Sequence, residues 1–418
     1  MSNPDVIIIG AGVAGLAAAA ALRQAGRSCV VLEASQRVGG RAHTVLVGDD
    51  TFDLGATWLH DADRNKLADL ASAAGDTLTD ADAARSRITL IDGQPGTAED
   101  EYAYNRAAQL FDTACHARAA QEPDISLSDA IADLRDDPWM ATIETWEAAQ
   151  IAAADPRRLS VRDWSANDLI GRNLWVQGGI GTLVERRLAP LAGAIRLGCK
   201  ATRIAWDGPG VTVQTSQGTL QAQSCIVTVS VGVLAADGIT FDPPLPDSHR
   251  SAIDALPMGL LTKIALHVPN GDRLGLAPGT SIRRRLSRPL EPIMSLHAWP
   301  AGASHIAGFV GGPVAWDLAR GGEGATKAFA LRQLETALGP AAASKVGAIT
   351  VSSWGTDPLH RGAYTYALTG HAGARAALGT PLAGGRLAFA GEAVCTDGLA
   401  GTVGGAYLSG ERAAKCAA

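Results

Sequence analysis

The chain opens on a short apolar run that ends in a glycine-rich segment. Val6–Ile9 are all β-branched, which is typical of a strand buried on both faces of a parallel sheet. Residues 14–25 are rich in alanine and leucine and predict a helix, which Gly26 is suited to end. Residues 28–32 predict a second strand, followed directly by Glu33. This order of strand, glycine turn, helix, strand and acid predicts a βαβ unit that binds a dinucleotide.

The pattern changes along the rest of the chain. Residues 61–170 contain stretches of helical periodicity, such as LADLASAAGDTL, and predict a mostly helical insertion. From residue 195 short alternating segments predict a three-stranded meander, and the proline-rich segment 241–250 marks a boundary. Residues 258–353 mix predicted strands with a helix over 325–338. The pattern therefore predicts an α/β chain of at least two parts.

Composition and charge exclude several classes of protein. The chain is 47% hydrophobic and 19% charged, as in an ordinary globular protein, and its net charge of −6 argues against non-specific nucleic-acid binding. Six scattered cysteines without a C-x-x-C pair predict buried thiols, with neither a disulfide framework nor a metal site. A first strand near residue 5 leaves no room for a leader, and no run of apolar residues is long enough to span a membrane. We therefore expect a cytoplasmic protein.

Three glycines behind the first strand form the pattern G-x-G-x-x-G. Gly10 lets the turn close, Gly12 lets a pyrophosphate approach the backbone, and Gly15 lets the helix pack on the strand. Glu33 is placed to accept hydrogen bonds from the adenosine ribose. The pattern alone leaves three interpretations open: a nicotinamide dinucleotide, a flavin dinucleotide, or only a tight turn.

A second glycine segment, EASQRVGGRAHT, follows the second strand and narrows this choice. Gly39 and Gly40 permit close approach of the backbone to a ligand, while Arg37 and Arg41 carry positive charge toward phosphates. A nicotinamide-binding unit does not require this second pair of glycines. The segment therefore favours a flavin dinucleotide.

From this point the chain resembles the flavin-containing amine oxidases, which include monoamine oxidases, polyamine oxidases and flavin histone demethylases. Six separated segments carry the resemblance in order: LGATW, IRLGCKATRI, CIVTVSVGVL, PMGLLTKIAL, WGTDPLHRGAYTY and LAFAGEAVCTDGLAGTVGGAYLSGERAA. Ser230 stands where the family has proline. In motif detail the chain is most similar to the polyamine oxidases.

The resemblance implies a Rossmann-like FAD-binding domain interleaved with an α+β substrate-binding domain. The expected FAD-binding domain comprises residues 1–57, 172–242 and 354–418, and the substrate-binding domain comprises 58–171 and 243–353. Beyond the two glycine segments, the residues implied to contact FAD are Ala56, Thr57, Trp58, Ala201, Trp354, Gly391, Glu392, Thr402 and Val403. The final helix is expected to begin near Thr402 or Val403 and to point its amide N–H groups at the flavin. Ala363 replaces the cysteine that binds flavin covalently in monoamine oxidases, so we expect non-covalent FAD.

The resemblance also implies which residues act on the substrate. Lys263 corresponds to a lysine that holds a water near flavin N5 and assists the reaction with oxygen, although an isolated lysine can also extend to solvent. Tyr364 corresponds to one of two aromatic walls in front of the flavin, and the other wall falls at Thr402. His60 either contacts the substrate or only satisfies a local hydrogen bond. Asp61 and Asp63 either attract a second ammonium group or belong to the solvated surface.

These observations predict an FAD-dependent amine oxidase. It would oxidise the C–N bond of a primary or secondary amine, with polyamine-like substrates favoured, to an imine and aldehyde while O2 becomes hydrogen peroxide. Two alternatives stay open: a flavoenzyme acting on carbon–carbon bonds, of the desaturase or protoporphyrinogen oxidase type, and a flavin-binding protein without turnover. The expected partners are a small amine and O2, in a monomer or homodimer. The particular amine and the position of attack on a polyamine stay undetermined.

Overall fold

The computed structural model describes residues 3–82 and 86–417. Its strands are, in chain order, β1 (Val6–Ile9), β2 (Cys29–Leu32), β3 (Thr44–Val47), β4 (Asp50–Asp53), β5 (Leu78–Asp80), β6 (Arg87–Ile91), β7 (Gln94–Pro95), β8 (Leu174–Val176), β9 (Ile195–Arg196), β10 (Ala201–Ala205), β11 (Val211–Thr215), β12 (Gly218–Ala222), β13 (Ser224–Val227), β14 (Thr240–Asp242), β15 (Met258–Gly259), β16 (Leu261–His267), β17 (Ser281–Arg284), β18 (Ser295–Ala298), β19 (His305–Gly311), β20 (Ile349–Val351), β21 (Tyr364–Thr365) and β22 (Leu387–Phe389).

The α-helices are α1 (Val13–Gln24), α2 (Lys66–Ala73), α3 (Ala98–Ala119), α4 (Leu127–Ala130), α5 (Met140–Glu144), α6 (Val161–Ala166), α7 (Ile180–Leu183), α8 (Ala189–Ala192), α9 (Val231–Ala235), α10 (Asp247–Asp254), α11 (Gly312–Leu338), α12 (Pro340–Ala343), α13 (Ala374–Leu378) and α14 (Val403–Cys416). Wider π-helical turns continue α5 over Thr145–Ile151 and join α7 to α8 over Val184–Leu188. Short 3-10 turns lie at Ala132–Leu134, Pro300–Gly302, Ala383–Gly385 and Glu392–Val394.

A five-stranded parallel sheet gathers strands from both ends and the middle of the chain. Its order is β22-β13-β1-β2-β9, and every pairing in it is parallel. β1 and β13 are fully buried, as the continuous β-branched run of β1 predicts. Helix α14 packs closely on α1, and Gly410 permits this contact. A Cβ at Gly410 would lie only 2.2 Å from the carbonyl oxygen of Ala14. The end of the chain therefore covers the glycine loop at its start.

A seven-stranded sheet of order β20-β16-β19-β18-β17-β6-β7 forms the second layer. Its pairings are antiparallel except for β17 with β6. Ile264 and Leu266 of β16 pack with Phe329 and Leu334 of α11 in one buried cluster. Because side chains alternate along a strand, Lys263 and Ala265 point to the opposite face of this sheet.

The sequence prediction of the elements was right in outline and wrong in two places. The three-stranded meander is present as the antiparallel strands β12-β11-β10. Residues 61–170 are largely helical, but the prediction missed β5, β6 and β7, because β6 is short and its partner β17 lies far downstream. The helix predicted over 325–338 begins at Gly312, and Gly322 interrupts it with a φ of 84°.

The six cysteines are all free thiols, as predicted. Four are buried, Cys29 is half-buried and Cys416 is exposed. Within the described ranges, no helix combines the length and apolar character that crossing a membrane requires.

Candidate active site

One cavity of about 650 Å³ runs from the first glycine loop to the seven-stranded sheet. It is lined by eighteen of the predicted site residues: Gly10, Gly12, Glu33, Gly39, Gly40, Arg41, Ala56, Thr57, Trp58, His60, Ala201, Lys263, Trp354, Tyr364, Gly391, Glu392, Thr402 and Val403. Two predicted residues, Gly15 and Arg37, do not line it. The structure therefore brings residues from the whole length of the chain to one place.

The two glycine segments meet at the N-terminal end of α1. The amide of Gly39 donates to the carbonyl of Ala11 at 2.8 Å, and a Cβ at Gly40 would lie 3.3 Å from the Cα of Gly12. Gly12 precedes the helix, and a Cβ there would meet no protein atom within 4 Å. Backbone N–H groups at a helix start favour phosphate, so this open cradle fits the pyrophosphate of a dinucleotide.

Gly15 has the packing role that the glycine pattern predicts. A Cβ at this position would lie 1.9 Å from the carbonyl oxygen of Gly10. The glycine therefore lets α1 pack against the loop, which explains why it stays outside the cavity. Arg37 also lies outside: its guanidinium donates to the carbonyl of Val38 at 3.2 Å. Burial lowers the pKa of Arg37, and Glu33 and Asp357 oppose that shift.

Glu33 is fixed by backbone amides. Its Oε2 accepts a hydrogen bond from the amide of Ala11 at 2.7 Å, and its Oε1 accepts one from the amide of Ser35 at 2.8 Å. A carboxylate oxygen can accept more than one hydrogen bond, so both oxygens keep capacity for hydroxyl groups of a ligand. The position agrees with a carboxylate that binds ribose, since Glu33 also lines the cavity.

Arg41 and Glu392 form an ion pair at the middle of the cavity. The Arg41 guanidinium donates to Glu392 Oε1 at 2.8 Å and to the carbonyl of Ala363 at 2.7 Å. Glu392 Oε2 also accepts from the hydroxyl of Thr365 at 2.8 Å. A carboxylate beside a pyrophosphate would be repelled without a compensating cation, and Arg41 lies where it could compensate Glu392.

Lys263 is buried, which removes the alternative that it extends to solvent. Only 4% of the residue is exposed, and its ammonium donates to the carbonyl of Gly55 and to the hydroxyl of Thr57. The same nitrogen lies 5.1 Å from the centre of the Trp58 ring. Burial lowers the pKa of Lys263 to about 8, while the carboxylate of Asp53 opposes that shift. The ammonium therefore lies in the cavity wall, close to neutrality at slightly alkaline pH.

Tyr364 and Thr402 lie on the side of the cavity formed by the C-terminal segments. The hydroxyl of Tyr364 donates to the carbonyl of Ile151 at 2.7 Å. A Cβ at Gly401 would lie 3.5 Å from the Tyr364 ring, so any side chain at this position would contact the ring. Thr402 caps α14 by accepting from the amide of Gly405 at 3.0 Å, which confirms the predicted start of the last helix.

His60 and Trp354 each form a side-chain hydrogen bond to a segment distant in the chain. Nδ1 of His60 lies 2.6 Å from Oδ1 of Asn173, and Trp354 Nε1 donates to the carbonyl of Leu54 at 2.8 Å. The ring centres of His60 and Trp58 are 6.0 Å apart. His60 thus makes a hydrogen bond within the protein and also lines the cavity, so contact with a substrate stays a prediction.

Asp61 and Asp63 do not support the idea of a second ammonium site in this loop. The carboxylate of Asp61 pairs with Arg64, and that of Asp63 pairs with Arg172. Neither aspartate lines the cavity. Their negative charge is compensated by arginines, so a ligand cation gains little there.

The seven-stranded sheet supplies a floor that the sequence did not reveal. Lys263 on β16 lies opposite Phe309 on β19, which lies opposite Ser295 on β18. His297 on β18 lies opposite Ser281 on β17, and all five residues line the cavity. Alternate residues of paired strands share a face, so the register of the sheet sets this floor. The strand pattern alone did not indicate which strands are neighbours.

Glu147 is another cavity residue that the sequence did not indicate. It lies on the π-helical turn Thr145–Ile151 and lines the cavity. Burial raises the pKa of its carboxyl to about 7, and the carboxylates of Asp112 and Asp168 raise it further, while a hydrogen bond from Trp164 opposes them. No basic group contributes to this shift among the residues described.

We expect the Glu147→Gln variant to melt at a higher temperature than the parent, by an amount that grows with pH. The pKa of Glu147 rises from 4.5 in the unfolded chain to about 7 in the folded chain. Between these values the folded state holds a proton that the unfolded state has lost, so stability falls as pH rises. The complete loss is on the order of 2 kcal/mol after allowing for water in the cavity.

The measurement is the melting temperature of both proteins without amines, from pH 4.5 to above pH 7. The gap between them should open through this window and then become constant. A constant gap over the whole range would show that Glu147 does not titrate as a buried, unpaired carboxyl.

Comparison with known proteins agrees with this geometry. Residues 13–418 match the family model described as flavin containing amine oxidoreductase. Polyamine oxidase 4 of Oryza sativa subsp. japonica is 32% identical over 452 residues, covering 99% of this chain and 88% of that protein. Polyamine oxidase 2 of Arabidopsis thaliana is 30% identical, covering 99% of this chain and 88% of that protein.

A solved structure shares the fold. Wild-type putrescine oxidase bound to putrescine superimposes with a TM-score of 0.79 at 23% sequence identity, covering 99% of this chain and 98% of that one. The likeness extends over both sheets, since it covers nearly the whole chain.

Proposed function

Because this chain belongs to the flavin-containing amine oxidoreductase family, we propose that it oxidises the C–N bond of a primary or secondary amine, with polyamine-like substrates favoured. Membership makes it an FAD-dependent oxidoreductase acting on amines, as the sequence predicts. The alternatives, a flavoenzyme acting on carbon–carbon bonds and a flavin-binding protein without turnover, are disfavoured by the same finding.

One observation carries the proposal: the dinucleotide cradle and a buried lysine line the same cavity. The cradle lies at the N-terminal end of α1, and Lys263 lies on the sheet floor. A buried ammonium is unfavourable unless its environment holds it, and here a carbonyl, a hydroxyl and an aromatic ring do so. We propose that the buried ammonium of Lys263 takes part in the reaction of the reduced cofactor with oxygen.

When bound, FAD would supply the two-electron oxidation of the carbon beside the amine nitrogen, with O2 as the final acceptor and hydrogen peroxide as its product. The protein binds and orients. In our proposal Gly10, Gly12, Gly39 and Gly40 form the pyrophosphate site, and Glu33 holds the ribose.

The remaining cofactor contacts come from later segments. Arg41 keeps Glu392 compensated beside the phosphates, and Gly391 leaves open space, because a Cβ there would meet no protein atom within 4 Å. Amide N–H groups at the start of α14, near Thr402 and Val403, face the pyrimidine edge of the flavin. Ala56, Thr57, Trp58, Ala201 and Trp354 complete the proposed contacts.

Lys263, Tyr364 and His60 are the proposed catalytic residues. Lys263 holds a water and favours the reaction of the reduced cofactor with oxygen. Tyr364 forms one wall of the substrate approach, and its place in the cavity lining agrees with this role. His60 positions the amine. Since Ala363 offers no nucleophile, we propose that FAD is bound without a covalent link.

Polyamine-like substrates are favoured by two of the relatives, whose names state that class at 30% and 32% identity. The division into an FAD-binding domain (1–57, 172–242, 354–418) and a substrate-binding domain (58–171, 243–353) is part of the same proposal. So are a monomeric or homodimeric state and a cytoplasmic location.

The test is a purified sample mixed with amines in the absence of air. We expect a yellow protein whose colour is bleached by spermidine, spermine or putrescine and returns with peroxide release when air is admitted. A benzylic amine serves as the comparison for substrate class. A colourless protein that binds a nicotinamide dinucleotide instead would overturn the proposal.

A further inference from the structure

The π-helical turn Thr145–Ile151 contributes residues to the cavity wall. Its last residue, Ile151, is anchored to Tyr364. The carbonyl of Ile151 accepts the hydroxyl of Tyr364 at 2.7 Å. A Cβ at Gly311, two residues after Phe309, would lie 1.6 Å from the carbonyl oxygen of Ala149. The turn is therefore pressed against the strand that carries Phe309. Wide helical turns of this kind are frequent at functional sites.

Glu147 lies on this turn, about one turn of helix before Ile151, and therefore farther from Tyr364. Its carboxyl is held by a hydrogen bond from Trp164, and its charged neighbours, Asp112 and Asp168, are both acidic. A buried carboxylate is rarely found without a cationic partner. His116 pairs with Asp168 at 3.2 Å, whereas Glu147 in its ionised form has no cationic partner among the residues described.

Gln150 lies between Glu147 and Ile151 on the same turn and adds a buried polar atom without a partner. Only 6% of this residue is exposed, it lines the cavity, and its Oε1 has no hydrogen-bond partner. Buried polar atoms almost always have a partner, so an unpaired amide in a cavity wall points to a ligand. Rotation of the amide can present either its oxygen or its nitrogen.

Five arginines line the cavity, and four of them are already compensated, among them Arg41 by Glu392 and Arg375 by Asp163. Arg283 pairs with Glu101 at 2.6 Å and stacks on Tyr104, with Cζ 3.4 Å from the ring centre. Arg284 pairs with Glu291 at 3.3 Å. The remaining one, Arg87, is an exposed residue on β6, at the far side of the sheet floor from Lys263. The arginines therefore leave the negative charge of Glu147 without a direct partner.

We infer that Glu147, with Gln150 beside it, binds the second ammonium group of an aliphatic diamine or polyamine whose first amine lies at the Lys263 end. An ammonium offers three N–H donors, which suits a carboxylate and an amide oxygen. Trp164, which donates the hydrogen bond to Glu147, also lines the cavity, so its indole lies beside this carboxyl. This inference rests on the proposed function and names the residues that select a substrate with two charges.

The experiment compares 1,4-diaminobutane with n-butylamine, which has the same carbon chain and one ammonium. Anaerobic bleaching of the flavin gives an apparent dissociation constant for each amine in the parent and in Glu147→Gln. We expect the variant to bind the diamine roughly 10- to 100-fold more weakly, because a buried charge pair is lost. Binding of n-butylamine should change by less than about threefold.

Asp112→Asn is the matched control, since it removes an exposed carboxylate near Glu147 that does not line the cavity. It should leave the ratio of the two constants within about twofold of the parent. Flavin content and melting temperature are recorded first. If Glu147→Gln does not retain flavin, Gln150→Leu replaces it, with a smaller loss of the same sign expected.

The outcomes separate this inference from the proposed function. A ratio that is unchanged in Glu147→Gln, or an equal weakening of both amines, overturns the second ammonium site while amine oxidation stands. If neither these amines nor any other amine bleaches the parent protein, both the function and the site fail.

Discussion

We expect the Lys263→Met variant to hold FAD as well as the parent but to reoxidise its reduced cofactor on the order of 100-fold more slowly in air. Methionine fills a similar volume and removes the charge. In the parent the ammonium is fixed by Gly55 and Thr57, so the charge is in place before oxygen arrives. A preorganised charge stabilises negative charge that develops on the reacting oxygen, and a flexible surface lysine does not.

The charge on Lys263 also predicts the direction in which the rate of reoxidation changes with pH. The pKa of Lys263 is lowered to about 8, so the ammonium is present below that value and lost above it. Reoxidation of the parent should therefore slow as pH rises through about 8, and the variant should not show that step. Chemical reduction of the cofactor, followed by mixing with aerated buffer, isolates this half-reaction from substrate binding.

Lys327→Met is the matched control, because Lys327 is a partly exposed lysine on α11 that pairs with Glu323. It should reoxidise at the parent rate. If Lys263→Met does so too, Lys263 has no part in the reaction with oxygen, and its burial is a matter of packing.

The Gly12→Val variant should fold as the parent does. It should retain at most about one tenth of the parent's FAD per mole of protein, because the valine side chain occupies the space that the pyrophosphate needs. A Cβ at Gly12 meets no protein atom within 4 Å, and the backbone there is extended, with φ −72° and ψ 176°. Valine is therefore accommodated by the protein alone. The readouts are flavin released by acid denaturation, per mole of protein, and the circular dichroism spectrum.

Gly324→Val is the control for adding the same side chain in open space. Gly324 lies on α11, and a Cβ there also meets nothing within 4 Å. This control should keep its flavin. Full flavin content in Gly12→Val would mean that the first glycine loop does not contact the cofactor, whereas an unfolded variant would contradict the open space seen at Gly12.

Two parts of the molecule show how far the sequence reached. The first βαβ unit was predicted within one or two residues, because its strands and helix follow local patterns over about thirty residues. Eighteen of the predicted site residues line one cavity, although the sequence scattered them between Gly10 and Val403. The glycines were found from spacing, whereas Lys263, Tyr364 and Ala363 were found from resemblance to a family.

The ion pairs that were missed join segments that are far apart in the chain. Arg41 and Glu392 are 351 positions apart, and the buried pair of Asp163 and Arg375 is 212 positions apart. No local pattern marks such partners, since opposite charges are common in every chain. The strand β6 was missed for the same reason: its pairing with β17 decides that it is a strand.

By itself the sequence determined the dinucleotide loop, the family and the identity of the buried lysine, because each of these depends on neighbouring residues in the chain. Only the tertiary structure decided which side chains face the same cavity. The register of the seven-stranded sheet places Phe309 beside Lys263, and the π-helical turn brings Glu147 and Gln150 to the wall. Strand register and helix widening arise from packing between segments far apart in sequence, so they become visible only when the chain has folded.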